Sequence, residues 1–125
     1  MEDLAKNIKD AIGSHGAWKL RLRTAINVGH SKFTVSDVSC DGNCAFGQWL
    51  QSDAFNAETR NGAPYRVISR LHTEFHKCAG NVLDLATSGH GAEATTLLDG
   101  DFTQQSEKLV RGLQKWRGEA ASNAR

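Results

Sequence analysis

Proline occurs once in this 125-residue chain, and no apolar run approaches the ~18 residues that a membrane-spanning helix needs. Direct membrane contact is therefore not expected. Aromatic-rich alternating runs are also missing, and aromatic residues make up only 7% of the chain, so a β-sheet has little support. Charge of one sign is scarce too. The formal net charge is +1 and no basic tract stands out, which excludes nucleic-acid binding driven by phosphate neutralisation. The opening residues, Met1-Glu2-Asp3-Leu4, lack a signal-peptide pattern. Cysteine occurs three times, an odd number, which together with that start points to the cytoplasm. There, thiols bind metal or react more often than they form bridges. A chain of this length suits one domain spanning residues 1–125, with its core in about residues 4–118. Such a domain buries ~65–70% of its unfolded surface without disulfide staples.

What is present is helical periodicity. Tyr65, Ile68, His72, Phe75, Ala79, Val82 and Ala86 recur in steps of three and four, which places them on one face of a long helix. Pro64 suits the first turn of that helix, because its missing N–H costs nothing there, and Gly89 is expected just past its end at Thr87. A helix from Leu4 to Ile26 carries Leu4, Ile8, Ala11, Ile12, Trp18, Leu22, Ala25 and Ile26 on its apolar stripe, with His15 filling the vacancy. Residues 28–43 read mostly as loop, with Val35 and Val38 able to clip it to the helices. Two helical turns follow from Cys44 to Leu50. A short helix through Leu97 and Leu98 is expected to stop near Gly100. The last helix carries Phe102, Ser106, Leu109, Leu113, Trp116 and Ala120. The expected fold is all-α, an antiparallel four-helix bundle with one short extra helix.

His72 stands where Leu or Ile would be expected, and His76 lies one turn further along the same helix. Imidazoles at the edge of a core are costly unless their ring nitrogens are satisfied. With His15 on a second core stripe and Cys44 at a helix start, three segments offer four donors. Zinc prefers a tetrahedral shell of imidazole nitrogen and thiolate sulfur, whereas magnesium and calcium want oxygen. Copper or iron remain open on ligand type alone. The alternative is a bundle whose buried polar groups bond only to one another.

These residues also lie in three ordered blocks. His15-Gly-Ala-Trp18-Lys19, Cys44-Ala-Phe46-Gly47-Gln48-Trp49-Leu50 and His72-Thr-Glu-Phe75-His76 resemble the blocks of the chemoreceptor zinc-binding (CZB) domain. The resemblance extends over essentially the whole chain, including the closing Ser106-x-x-Leu109-Val110-x-x-Leu113-x-x-Trp116 helix. It implies a helical bundle holding Zn²⁺ through His15, Cys44, His72 and His76. It further implies a cytoplasmic regulatory module of bacterial chemoreceptors or diguanylate cyclases, sensing zinc or hypochlorous acid, commonly as a homodimer. Its partners would be signalling helices or an output domain.

Around the ligands, Trp18, Trp49 and Phe75 are candidates for a surrounding shell that excludes water, with plain core packing the favoured reading for the two tryptophans. Cys44 is the expected redox-sensitive ligand, because it sits on a short loop-tethered helix whose N-terminal dipole helps hold a thiolate. Cys40 reads as an incidental loop thiol, although four residues from Cys44 it could resolve a sulfenic acid there. Cys78 points away from the site. His30 and His90 read as solvated. Zinc affinity is expected to fall as pH drops through the histidine range. Catalysis is disfavoured. Glu74 lies about 200° around the helix from each neighbouring His, unlike the Glu of H-E-x-x-H, and four protein ligands leave no open position. The second reading is a helical scaffold or dimerisation module in which zinc is purely structural.

Overall fold

The computed structural model describes residues 2–123, with side chains from 4 to 119. The side chain of Ala120 therefore lies outside the described residues. The chain is all-α, with no strand among the described residues. Its helices are α1 (Glu2–Gly16), α2 (Trp18–Val28), α3 (Val35–Ser39), α4 (Ala45–Leu50), α5 (Ala57–Asn61), α6 (Ala63–Thr87), α7 (Gly91–Leu97) and α8 (Thr103–Asn123).

α1 and α2 nearly form one rod. The hydrogen-bond ladder passes the break at Ala17, whose N–H donates to the Gly13 carbonyl and whose carbonyl accepts from Arg21 N–H. The rod ends where Gly29 adopts φ +86°, a left-handed conformation that side chains rarely tolerate. α6 begins with Pro64 in its first turn and stops at Thr87, with Gly89 at φ +82° just beyond. Both ends fall where the sequence puts them. α6 is also the hub, packed against α2, α3, α7 and α8. Ile68, His72, Phe75, Ala79, Val82 and Ala86 are all buried, and so are His76, Gly80 and Leu83 on an adjoining stripe. One apolar stripe is too narrow for a helix surrounded on this many sides. α1 packs against α8 and α2 against α7, so the first rod runs antiparallel to the last. Full burial of a side chain such as Ile8, Phe75 or Leu109 contributes about 1.5–3 kcal/mol before chain entropy is counted.

Three segments differ from the sequence expectation. Residues 28–43 are not mostly loop. Thr34 Oγ1 accepts from Asp37 N–H at 3.1 Å and starts α3, and a 3₁₀ turn, Asp41–Asn43, follows it. α3 seats against a dent in α6 made by Gly80, where a Cβ would stand only 1.8 Å from Ser39 Oγ. Secondly, Asn56 Oδ1 accepts from Thr59 N–H at 2.8 Å and caps the unexpected α5. Thirdly, helix does not stop near Gly100. A π-helical turn, Leu98–Phe102, carries the chain from α7 into α8. The wider turn buries both Leu98 and Phe102, and Thr103 Oγ1 donates to the Leu98 carbonyl at 2.7 Å.

Candidate metal centre

His15 sits in the last turn of α1, Cys44 immediately before α4, and His72 and His76 one turn apart in the middle of α6. The three histidines are 2%, 1% and 3% exposed in chain order, and Cys44 is half-buried. One donor atom from each falls within 4.8 Å of all the others. His72 Nε2 is central: 3.1 Å from His15 Nε2, 3.1 Å from His76 Nε2 and 3.2 Å from Cys44 Sγ. Cys44 Sγ and His15 Nε2 are 3.9 Å apart.

Two backbone carbonyls set the protonation of this cluster. His15 Nδ1 lies 2.7 Å from the Ala11 carbonyl, and His76 Nδ1 lies 2.9 Å from the Val38 carbonyl. A carbonyl only accepts, so in each ring the proton sits on Nδ1 and the Nε2 lone pair faces the centre. Lone pairs converging in a buried space must be satisfied, by a cation or by protons on His72 Nε2 and Cys44 Sγ. Zinc bonded to nitrogen at about 2.0–2.1 Å and to sulfur at about 2.3 Å would give tetrahedral edges of roughly 3.3–3.6 Å, close to the separations here. The donor set therefore fits such an ion, and carbonyl bonds on the far ring nitrogens are the usual way of orienting metal-binding imidazoles.

Burial dominates the electrostatics. It lowers His15 to about 4 and His72 to about 3, and it lowers His76 as well. All three rings are thus neutral and ready to ligate near neutral pH, so in the folded apo chain the imidazoles protonate below the usual histidine range. Burial also raises the Cys44 thiol, and the Asp41 carboxylate adds to this. Gly47 N–H, 3.3 Å from Sγ, pulls the other way. The start of α4 does not by itself generate a thiolate, because one short helix offers too few N–H groups to offset desolvation.

The Cys44 segment is held to α6 by side chains. Thr73 Oγ1 donates to Asp41 Oδ2 at 2.5 Å, and Tyr65 OH donates to the Leu50 carbonyl at the other end of α4. Gly47 is needed in between, since a Cβ there would lie 1.7 Å from the Asp41 carbonyl oxygen and 3.2 Å from His72 Cε1.

Among the described residues, the aromatic rings in contact with the ligand imidazoles are Phe75 and Phe46. Phe75 lies 5.1 Å from His15 and 5.5 Å from His76, and Phe46 lies 6.0 Å from His15 and 5.2 Å from His72. Sequence reasoning did not single out Phe46, although its place two residues after Cys44 was the available signal. The tryptophans pack elsewhere, Trp18 on Phe33 and Trp49 against Phe46, Phe55 and Trp116. Cys40, His30 and His90 are exposed. Cys78 is half-buried, its thiol pushed up to about 11 by burial and by the carboxylates of Asp101 and Glu74. Glu74 is exposed and lines a groove with Cys78, Asn81 and Asp101, away from the imidazoles.

A helical domain with a buried three-histidine, one-cysteine cluster is a metal-binding module. A family model described as the chemoreceptor zinc-binding domain (CZB) matches residues 15–83, more than half of the chain and a span containing all four donors. The chain belongs to this family. The matched span ends before α8, so the closing helix that the sequence resemblance took in lies outside it. Comparison with curated proteins and with solved structures gives no match. Among the described residues, no helix is long and apolar enough to cross a membrane.

Proposed function

We propose that this chain is a cytoplasmic zinc-dependent sensory module of bacterial signalling, attached or docked to a chemoreceptor or a diguanylate cyclase. In this reading residues 1–125 act as one unit, an antiparallel four-helix bundle, and pair as a homodimer. The supporting observation is the convergence of His15, Cys44, His72 and His76, with two ring tautomers set by backbone carbonyls.

A zinc ion held by His15, Cys44, His72 and His76 would supply the positive charge that keeps Cys44 as the thiolate. His15, His72 and His76 stay where their long helices hold them. Cys44 is the ligand that lets go, because only a short helix and a few side-chain hydrogen bonds position it. Its sulfur can lose its hold by chelation or by oxidation. With hypochlorous acid the balance is thiolate plus HOCl giving sulfenic acid plus chloride, sulfur losing the two electrons that chlorine gains. The freed 41–50 segment then moves relative to α6, and adjoining signalling helices or an output domain read that movement.

The test is zinc content and zinc affinity of the purified chain, followed by circular dichroism across chelation and by zinc release on hypochlorite addition. One zinc per chain, retained helicity in the apo form, and oxidant-driven release lost in Cys44→Ala are expected. Collapse of the helices on chelation would identify zinc as a structural staple of a scaffold. Unchanged affinity and oxidant response in Cys44→Ala would remove the switch role.

A further inference from the structure

Three large apolar side chains stand exposed among the described residues: Leu20 at 73%, Val28 at 53% and Val67 at 42%. Leu20 and Val28 lie two turns apart on α2, on the side turned away from the buried Leu22. A groove of about 560 Å³ runs along this side between α2 and the loop that follows it, lined by Leu20, Arg21, Ala25, Val28, Lys32 and Phe33. Its walls are mostly apolar carbon.

The mouth of the groove is cationic. The Arg21 guanidinium lies over the Trp18 ring, 5.0 Å from its centroid, and the Lys32 ammonium lies over Phe33 at 5.4 Å. The aromatic faces hold both charges at the rim. From Ala11 to Ser36 the sequence contains no Asp or Glu, yet it contains Lys19, Arg21, Arg23 and Lys32. Among the described residues, only Arg23 of these four is ion-paired, with Asp99 at 2.7 Å.

Charge and shape together select the occupant. A second copy docked two-fold through this groove would set Arg21 and Lys32 against the same cations. A lipid surface would lie across the groove rather than in it. A helix, about 10–12 Å across with its side chains, lays an apolar face into such a groove and keeps charge along its edges. We propose that the α2 groove is the docking site for an acidic amphipathic helix of a separate protein. Its apolar side chains pack on Leu20, Val28 and Phe33, and its carboxylates meet Arg21 and Lys32. This face stands independently of the metal centre.

The experiment titrates the full chain into a fluorescent amphipathic peptide with Leu on one face and Glu on the others. A twin with Gln for every Glu, vesicles of anionic phospholipid, and sedimentation of the chain alone run beside it. Saturable binding of the acidic peptide is expected, weakening as salt rises. The pair Arg21→Glu/Lys32→Glu should weaken it roughly tenfold or more, as should Leu20→Ser/Val28→Ser. Arg66→Glu, on another helix, should leave it unchanged. All four groove side chains are solvent-facing or on the rim, and circular dichroism confirms that each variant folds. No saturable binding, or equal binding of the Gln twin, would overturn the proposal. So would groove variants that abolish vesicle binding or self-association while sparing the peptide.

Discussion

The two halves of the metal centre are built differently. His72 and His76 belong to the middle of a 25-residue helix packed on α2, α3, α5, α7 and α8, so their geometry comes from a rod that exists for other reasons. Cys44 belongs to a segment of a 3₁₀ turn and a six-residue helix, held by Thr73, Tyr65 and the close fit of Gly47. Isolated helices this short are not stable in water, so the Cys44 side owes its structure to what it docks on. The rigid half presents neutral imidazoles in advance. The docked half carries the ligand that must lose a proton to bind and that can be oxidised. In the proposed sensor, such a division would let the Cys44 bond break without loss of the helices.

Breaking the rigid half should have the largest effect. His72→Ala removes the central donor and leaves a cavity, and is expected to abolish stoichiometric zinc binding and cost about 2–4 kcal/mol, read by chelator competition and by denaturant melts. Gly47→Ala attacks the docked half by forcing a Cβ into the Asp41 carbonyl. A loss of about 1–3 kcal/mol is expected, with hydrogen exchange rising in residues 41–50 and not in the middle of α6. Exchange rising equally in both places would show that the halves are not separable.

The third prediction concerns pH in the apo chain. His15, His72 and His76 have folded pKa values below the unfolded value near 6.5, so the unfolded chain binds more protons in that window. Stability is fully present above about 6.5 and falls as pH drops toward the 3–4 range of His15 and His72. Thermal melts of apo protein at a series of pH values read this directly. A flat profile between neutrality and pH 4 would contradict the burial of three neutral rings. The smallest effect is expected for Thr73→Val, which keeps the volume but removes the bond to Asp41. It should cost about 0.5–1.5 kcal/mol and speed zinc release while leaving α6 unchanged, as measured by stopped-flow transfer to a chelator.

Much of this was legible in the chain. The step of three and four on α6, with His72 in an apolar slot, needs only the geometry of one helix. Pro64 and Gly89 mark its ends through their own backbone preferences. α3 carries a local start signal in Thr34 and Asp37, but a helix of five residues holds only when docked, and that docking depends on Gly80 yielding space to Ser39 across a long sequence gap. Phe46 was missed for a related reason: its side chain meets His15 and His72 only after α4 docks. The π-helical turn was hidden too, since Gly100 reads locally as a stop and only burial of Leu98 and Phe102 holds the turn in place.

The sequence by itself determined the helical class, the long rods and the four donor residues in their blocks. Those features rest on periodicity and residue chemistry within a few turns of chain. Tertiary structure alone decided that the Val38 carbonyl orients the His76 ring, that burial keeps the histidines neutral and raises Cys44, and that α2 carries an open cationic groove. Each of these depends on what stands across from a residue or on how much water reaches it, and both are set only when segments distant in the chain pack together.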